Sequence, residues 1–134
     1  MDLVSLVPVG ACGNVELVVG EEHTAPRVGS GRVRVLATPV MINLIEAAAL
    51  EAFEALLPAG YQSLGTLLEV AHVAATPVGM RVRATATVTA VEGRTVRLAV
   101  EAYDEVERIG GGRHERVVVN VARFDERVAR KRAR

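Results

Sequence analysis

The sequence predicts an α+β fold in which a curved antiparallel sheet wraps around one long central helix. Three observations carry this reading. TPVMINLIEAAALEAFEALL, residues 38–57, is a single strong helical segment. After it the hydrophobic period changes from 3.6 to 2 and stays there. The inward face of the alternating segments is made of small or branched apolar residues, and such a face wants a helix laid across it.

The elements follow in order. NVELVV, residues 14–19, makes a short first strand. GEEHTAPRVGSGRVRVLA, residues 20–37, begins as loop and regains extended structure around residues 32–36. Thr38 then offers an N-cap hydroxyl and Pro39 the favoured first helical position. Pro58 and Gly60 stop the helix near Leu57. SLGTLLEVAHV, residues 63–73, is the next strand. MRVRATATVTAV, residues 80–91, alternates with Val82, Ala84, Ala86, Val88 and Ala90 on one face. Glu92 and Gly93 give a hairpin turn. TVRLAVEAYDEV, residues 95–106, returns with Val96, Leu98, Val100 and Ala102 inward. IGGGRHERVVVNVARF, residues 109–124, forms the last long strand. The order is strand, helix, then a meander of four antiparallel strands. Ala48, Ala49, Ala52 and Ala55 let the helix approach the sheet closely, which is the hot-dog architecture.

Composition bounds the function. At 134 residues the chain is read as one domain, 1–134, long enough to bury a real core. No apolar run approaches the ~18 residues that span a bilayer. Sixteen basic residues balance sixteen acidic ones, so no net charge recruits nucleic acid or an anionic surface. Residues 126–134 are read as a basic, frayed tail. MDLVSLVPVGACG superficially resembles a leader, but it has Asp2 where a positive region belongs and Pro8 in its short apolar stretch. One cysteine, Cys12, excludes an intrachain disulfide and fits a reducing cytoplasm.

Three residues stand out chemically. Glu46 falls at the border of the helix's buried face, about 60° beyond Asn43 on the wheel. It is either a carboxylate that snorkels or pairs with an arginine, or a base or nucleophile tuned by partial burial. Alternation places His72 with Thr66, Leu68 and Val70 on the core face, and Gly65 on the other. His72 is either a satisfied core histidine or a reactive one. His23 and His114 have weaker cases, one in a polar loop and one beside a glycine run. The three histidines lack ligand spacing, so no metal site is expected. Thr38 is sufficiently explained as an N-cap, yet a helix N-terminus also suits a developing oxyanion. Thr38 and Glu46 lie about 12 Å apart along one helix. Serving one carbonyl together requires two subunits with antiparallel helices.

TPVMINLIEAAAL, SLGTLLEVAHVAATPVGMRVRATATVTAVEGR and IGGGRHERVVVNVARFDERV closely resemble the fluoroacetyl-CoA thioesterase family. The resemblance runs from about Arg32 to the C-terminus and is thinner before it. It implies a hot-dog homodimer, or a dimer of dimers, that hydrolyses acyl-CoA thioesters without metal or cofactor. It puts Thr38, Glu46 and His72 on the catalytic Thr, Glu and His. Gly65 falls on a substrate-side glycine and Arg116 on an arginine near the active site. Arg32, Arg34 and Arg113 are candidates for the CoA phosphates, since Arg forks suit phosphate; the alternative is plain solvation. The sequence departs from the family before Thr38. Gly29 and Arg32 stand where lid phenylalanines fall, and no Phe, Tyr or Trp lies between Met1 and Met41. The hydrolase chemistry is expected to carry over, and strict fluoroacetyl selectivity is not. The rival readings are a hot-dog acyl-thioester hydratase or dehydratase and a non-catalytic acyl-CoA-binding module. Neither a nucleic-acid nor a membrane partner is expected.

Overall fold

A computed structural model describes residues 1–133; Arg134, at the end of the expected basic tail, lies outside them. Its helices are α1 (Leu3–Leu6), α2 (Ala25–Val28), α3 (Thr38–Phe53) and α4 (Val121–Arg132). Its strands are β1 (Cys12–Val18), β2 (Tyr61–His72), β3 (Arg81–Glu92), β4 (Thr95–Tyr103) and β5 (Arg108–Asn120). All strand pairs are antiparallel, in the order β1-β3-β4-β5-β2.

α3 lies across the inner face of the sheet. Met41, Leu44, Ile45, Ala48, Ala49, Ala52 and Phe53 are buried there. They meet Val82, Ala84, Ala86 and Val88 of β3 and Val96, Leu98, Val100 and Ala102 of β4, which are also buried. The alternation read from these two strands is the packing observed, apart from Ala90, where a bulge between Val88 and Ala90 interrupts the register. The alanines do allow close approach: β1 crosses α3 at Gly13, where an added Cβ would sit 2.5 Å from the Ala48 carbonyl oxygen. Ala55 takes no part, being exposed in a short 3₁₀ turn (Glu54–Leu56) that ends the helix ahead of Pro58.

The structure corrects five expectations. The four later strands are not one meander, because β2 leaves the sequence of neighbours and pairs with β5 instead of β3. The glycine run of β5 suits this pairing. A Cβ at Gly112 would stand 2.1 Å from the Glu69 carbonyl oxygen, so the two backbones meet closely there. The last strand ends at Asn120, not Phe124. The Asn120 side chain accepts the Arg123 N–H at 3.1 Å and caps α4, whose three basic residues at its end complement the helix dipole. The expected frayed tail is therefore helical through Arg132. Residues 32–35 form bends, and Leu36 makes an isolated bridge to Thr24. Finally, Ala37 is the N-cap of α3 and Thr38 is its first residue, with no side-chain capping bond.

Among the described residues, no helix is long and apolar enough to cross a membrane.

Candidate active site

Two polar clusters lie along α3, one at its first turn and one in its middle. At the first turn, the hydroxyl freed from capping turns to β2: Thr38 Oγ1 lies 2.7 Å from His72 Nδ1. Val40 and Met41 both direct their N–H groups to the Ala37 carbonyl, and Pro39 has none. The Thr38 N–H is the group left at this positive helix end. His72 Nε2 is buried and has no hydrogen-bond partner among the described residues. Burial pushes the imidazole pKa below its usual value, with the Ala74 backbone opposing, so the ring is neutral at pH 7. The pair stands at a cleft of about 340 Å³ whose lining includes Ala25, Arg32, Val35, Leu36, Thr38 and His72. Arg32 is the one charged residue in that lining, and no Phe, Tyr or Trp belongs to it.

The middle cluster is built on Glu46. Its side chain is 35% exposed, at the border of the buried face, and its Oε2 accepts a hydrogen bond from Arg116 Nη1 at 3.1 Å. Arg116 is 5% exposed, so this is a core guanidinium and not a solvent charge. It also donates from Nε to Ser63 Oγ at 2.8 Å and from Nη2 to the Ser63 carbonyl at 3.1 Å. A fourth bond runs from Nη1 to His114 Nε2 at 3.2 Å. His114 is fully buried, and its Nδ1 lies 2.8 Å from the Leu67 carbonyl. A carbonyl only accepts, so Nδ1 carries the proton and Nε2 receives Arg116.

Gly65 belongs to this cluster, against the alternation read from the sequence. A bulge between Gly65 and Leu67 resets the pleat, so Gly65 and His72 both face α3. An added Cβ at Gly65 would stand 2.6 Å from Glu46 Oε2 and 3.2 Å from His114 Cε1. Only glycine leaves the carboxylate its place. Gly65→Ala is therefore expected to displace Glu46, and a crystal structure of the variant should show the carboxylate moved from Arg116. A thermal scan should find the melting midpoint little changed, because the displaced group is a partly exposed side-chain end.

The structure places the other candidates as follows. Arg34 pairs with Glu21, and Arg113 pairs with Glu69 at 2.7 Å, so both have protein partners in place of a phosphate. Arg32 has no ion-pair partner among the described residues. His114, set aside beside its glycines, and Ser63 are polar core residues that the reading missed. The signal for the first was available, since His114 and Arg116 are two apart on one strand and share a face. Among the described residues, no group of three His, Cys, Asp or Glu side chains is placed to hold a metal.

Burial also pushes the His114 pKa below the usual 6.5, aided by the Arg116 charge and opposed by the Leu67 bond and Glu46. Both histidines thus resist protonation in the folded chain while the unfolded chain accepts it near pH 6.5. Folded stability is then greatest above that value and falls as pH drops from 6.5 toward the lower folded pKa values. Urea denaturation at pH 7.5 and about 5.5 should give a lower midpoint at the acid pH. His114→Asn should narrow the difference.

The family model for the fluoroacetyl-CoA-specific thioesterase, FlK, matches residues 19–122, which include both clusters. The chain belongs to this family. A fluoroacetyl-CoA thioesterase of Streptantibioticus cattleyicolor is 43% identical over 97 residues, covering 72% of this chain and 70% of that protein. A solved structure of the FlK thioesterase superposes with a TM-score of 0.88 at 36% identity, covering 93% of this chain and 97% of that one. A hot-dog-like protein of Thermanaerovibrio acidaminovorans gives 0.89 at 30% identity, covering 98% and 97%. The fold of this FlK-family chain is thus the hot-dog fold expected from its sequence, and its family is one of thioester hydrolases.

Proposed function

We propose that this chain is an acyl-CoA thioesterase, converting a small or medium acyl-CoA and water to the free acid and CoA. The observation that carries the reading is the Thr38–His72 pair with its unpartnered Nε2 at the cleft, together with Glu46 on the same helix. In the proposed reaction Glu46 supplies an electron pair to the thioester carbon. Collapse of the tetrahedral intermediate expels the CoA thiolate, leaving an acyl anhydride on Glu46 that water cleaves. In the alternative form of the same reaction, Glu46 takes a proton from water as the water attacks. The Thr38 N–H and hydroxyl, at the positive end of α3, face the charge that develops on the carbonyl oxygen. In the anhydride route neutral His72 Nε2 accepts a proton from the attacking water, and the expelled thiolate takes up its proton from solvent. No step calls for a metal or cofactor.

The active unit in this reading is a homodimer. Thr38 and Glu46 stand about 12 Å apart along one helix, too far to share one carbonyl. β2 supports the pairing: it is a 12-residue edge strand with one side unpaired in the sheet, and Leu64 and Leu68 on it are more than a third exposed. A long free edge is a template for a second strand. In the proposed dimer the antiparallel pairing is centred between Gly65 and His72, which sets the Gly65 part of one β2 toward the His72 end of the other.

Substrate choice should be broader than fluoroacetyl. The cleft is lined by Ser30, Gly31 and Arg32 among others, and no Phe, Tyr or Trp is among its lining residues. Thiol release measured over a panel of acyl-CoAs tests the function directly. Release from several short and medium chains is expected. A change in double-bond absorbance without thiol release, or binding without either, would contradict the reading.

A further inference from the structure

The middle cluster contains more than a reacting carboxylate requires. Buried polar groups persist in a core when their hydrogen bonds are made, and a guanidinium brings five N–H donors. Four of those of Arg116 are used, two of them on Ser63 alone. Ser63 is itself fixed from the end of α3. Its Oγ donates to Glu54 Oε2 at 2.7 Å and its N–H to Glu54 Oε1 at 3.1 Å. The direction of Arg116 is therefore set by bonds that do not involve Glu46. Glu46, by contrast, is held at one oxygen. Oε2 accepts from Arg116, while Oε1 has no hydrogen-bond partner among the described residues.

The geometry points to Ser63, locked by Glu54, as the positioning residue that fixes Arg116 and thereby presents Oε1 of Glu46 to the thioester. This rests on Glu46 being the reacting carboxylate. The two oxygens then divide the work: Oε2 keeps the ion pair, and Oε1 donates its electron pair to the acyl carbon or takes the proton of water. His114 completes the arrangement as a neutral acceptor. With its proton on Nδ1 and the Leu67 carbonyl, it takes the second Nη1 hydrogen and leaves the first for Glu46. A network that merely tied β2 to α3 would have no such bearing on the carboxylate.

Ser63→Ala tests the assignment. It is expected to lower kcat about 10- to 100-fold, the cost of a misplaced reacting group, with KM changed less than about twofold. Ser63→Thr, which keeps the hydroxyl, should restore most of the rate. Added to Glu46→Gln, Ser63→Ala should cost little more, since groups acting as one unit are not additive. A fall in kcat of the same size on the Glu46→Gln background would overturn the proposal, as would a loss confined to KM. If Ser63→Ala does not fold, Glu54→Ala removes the lock from outside, and a drop of about 5- to 10-fold in kcat is expected. An unchanged rate there would also overturn it. A crystal structure of the folded variant reads the same claim without turnover: Arg116 should swing away from Glu46. The pair found intact would sink the inference. Absence of thiol release by the wild-type chain would refute the proposed function, and the crystal structure would still decide the role of Ser63.

Discussion

Glu46→Gln should lower kcat at least ~100-fold, the usual contribution of a positioned base or nucleophile. The substitution keeps the shape of the side chain and an oxygen for Arg116. It removes the negative oxygen that attacks the thioester or accepts a proton from water. Arg116 should stay in place, because Ser63 and His114 hold it through three of its four bonds. The fold should therefore survive, as circular dichroism and a thermal scan can verify. KM should move little, since the amide occupies the same volume. A folded variant with a near-normal rate would remove Glu46 from the chemistry. The surviving question, attack or water activation, is open to isotope labelling. A single turnover in oxygen-18 water places label in Glu46 by the anhydride route and only in the product acid by the other.

His72→Ala is the second large effect, again about 100-fold or more in kcat. His72 belongs to the cluster at the first turn of α3, apart from Glu46 and Arg116. Burial disfavours the charged imidazole, one nitrogen is engaged by Thr38, and the other is buried without a hydrogen-bond partner among the described residues. Leaving a buried polar atom unpaired costs stability in a resting protein, so the atom is better explained by a task than by packing. Alanine takes away the ring and leaves the Thr38 hydroxyl without its acceptor or donor. A thiol-release assay on the folded variant reads the loss, and activity within a few-fold of wild type would mean that the ring is structural.

Much of this was legible in the chain because it depends on local period. The 3.6-residue repeat of α3 and the two-residue repeats of β3 and β4 are properties of neighbouring residues, and the buried faces match them. The border position of Glu46 follows from the same wheel. Long-range pairing was not legible. Nothing local says that β2 joins β5, although the glycines at 110–112 mark a place where backbones approach. The bulge after Gly65 was equally hidden, and it moves that residue to the face opposite the one that alternation assigns. At the C-terminal end, VVVNVARF continues a strand-like run across a true boundary. The physical mark of that boundary is Asn120, a good N-cap whose side chain takes the Arg123 N–H. The stretch RVRVL misled in the opposite sense. It alternates, but it bends along the cleft lining and joins no strand of the sheet, since the one bridge it makes, at Leu36, goes to the loop residue Thr24. As for the candidate site, Thr38 and His72 were picked separately, and it is the fold that puts them 2.7 Å apart.

In the proposed homodimer each site takes Glu46 from one subunit and Thr38 with His72 from the other. Co-refolding equal amounts of Glu46→Gln and His72→Ala chains tests it most directly. In the mixed dimer one site then carries both substitutions and the other carries neither. Random pairing makes half the dimers mixed, so roughly a quarter of wild-type thiol release should return. Activity that stays at the level of the two parent variants, with mixed dimers present in the sample, would show that each chain holds its whole site and would contradict the account.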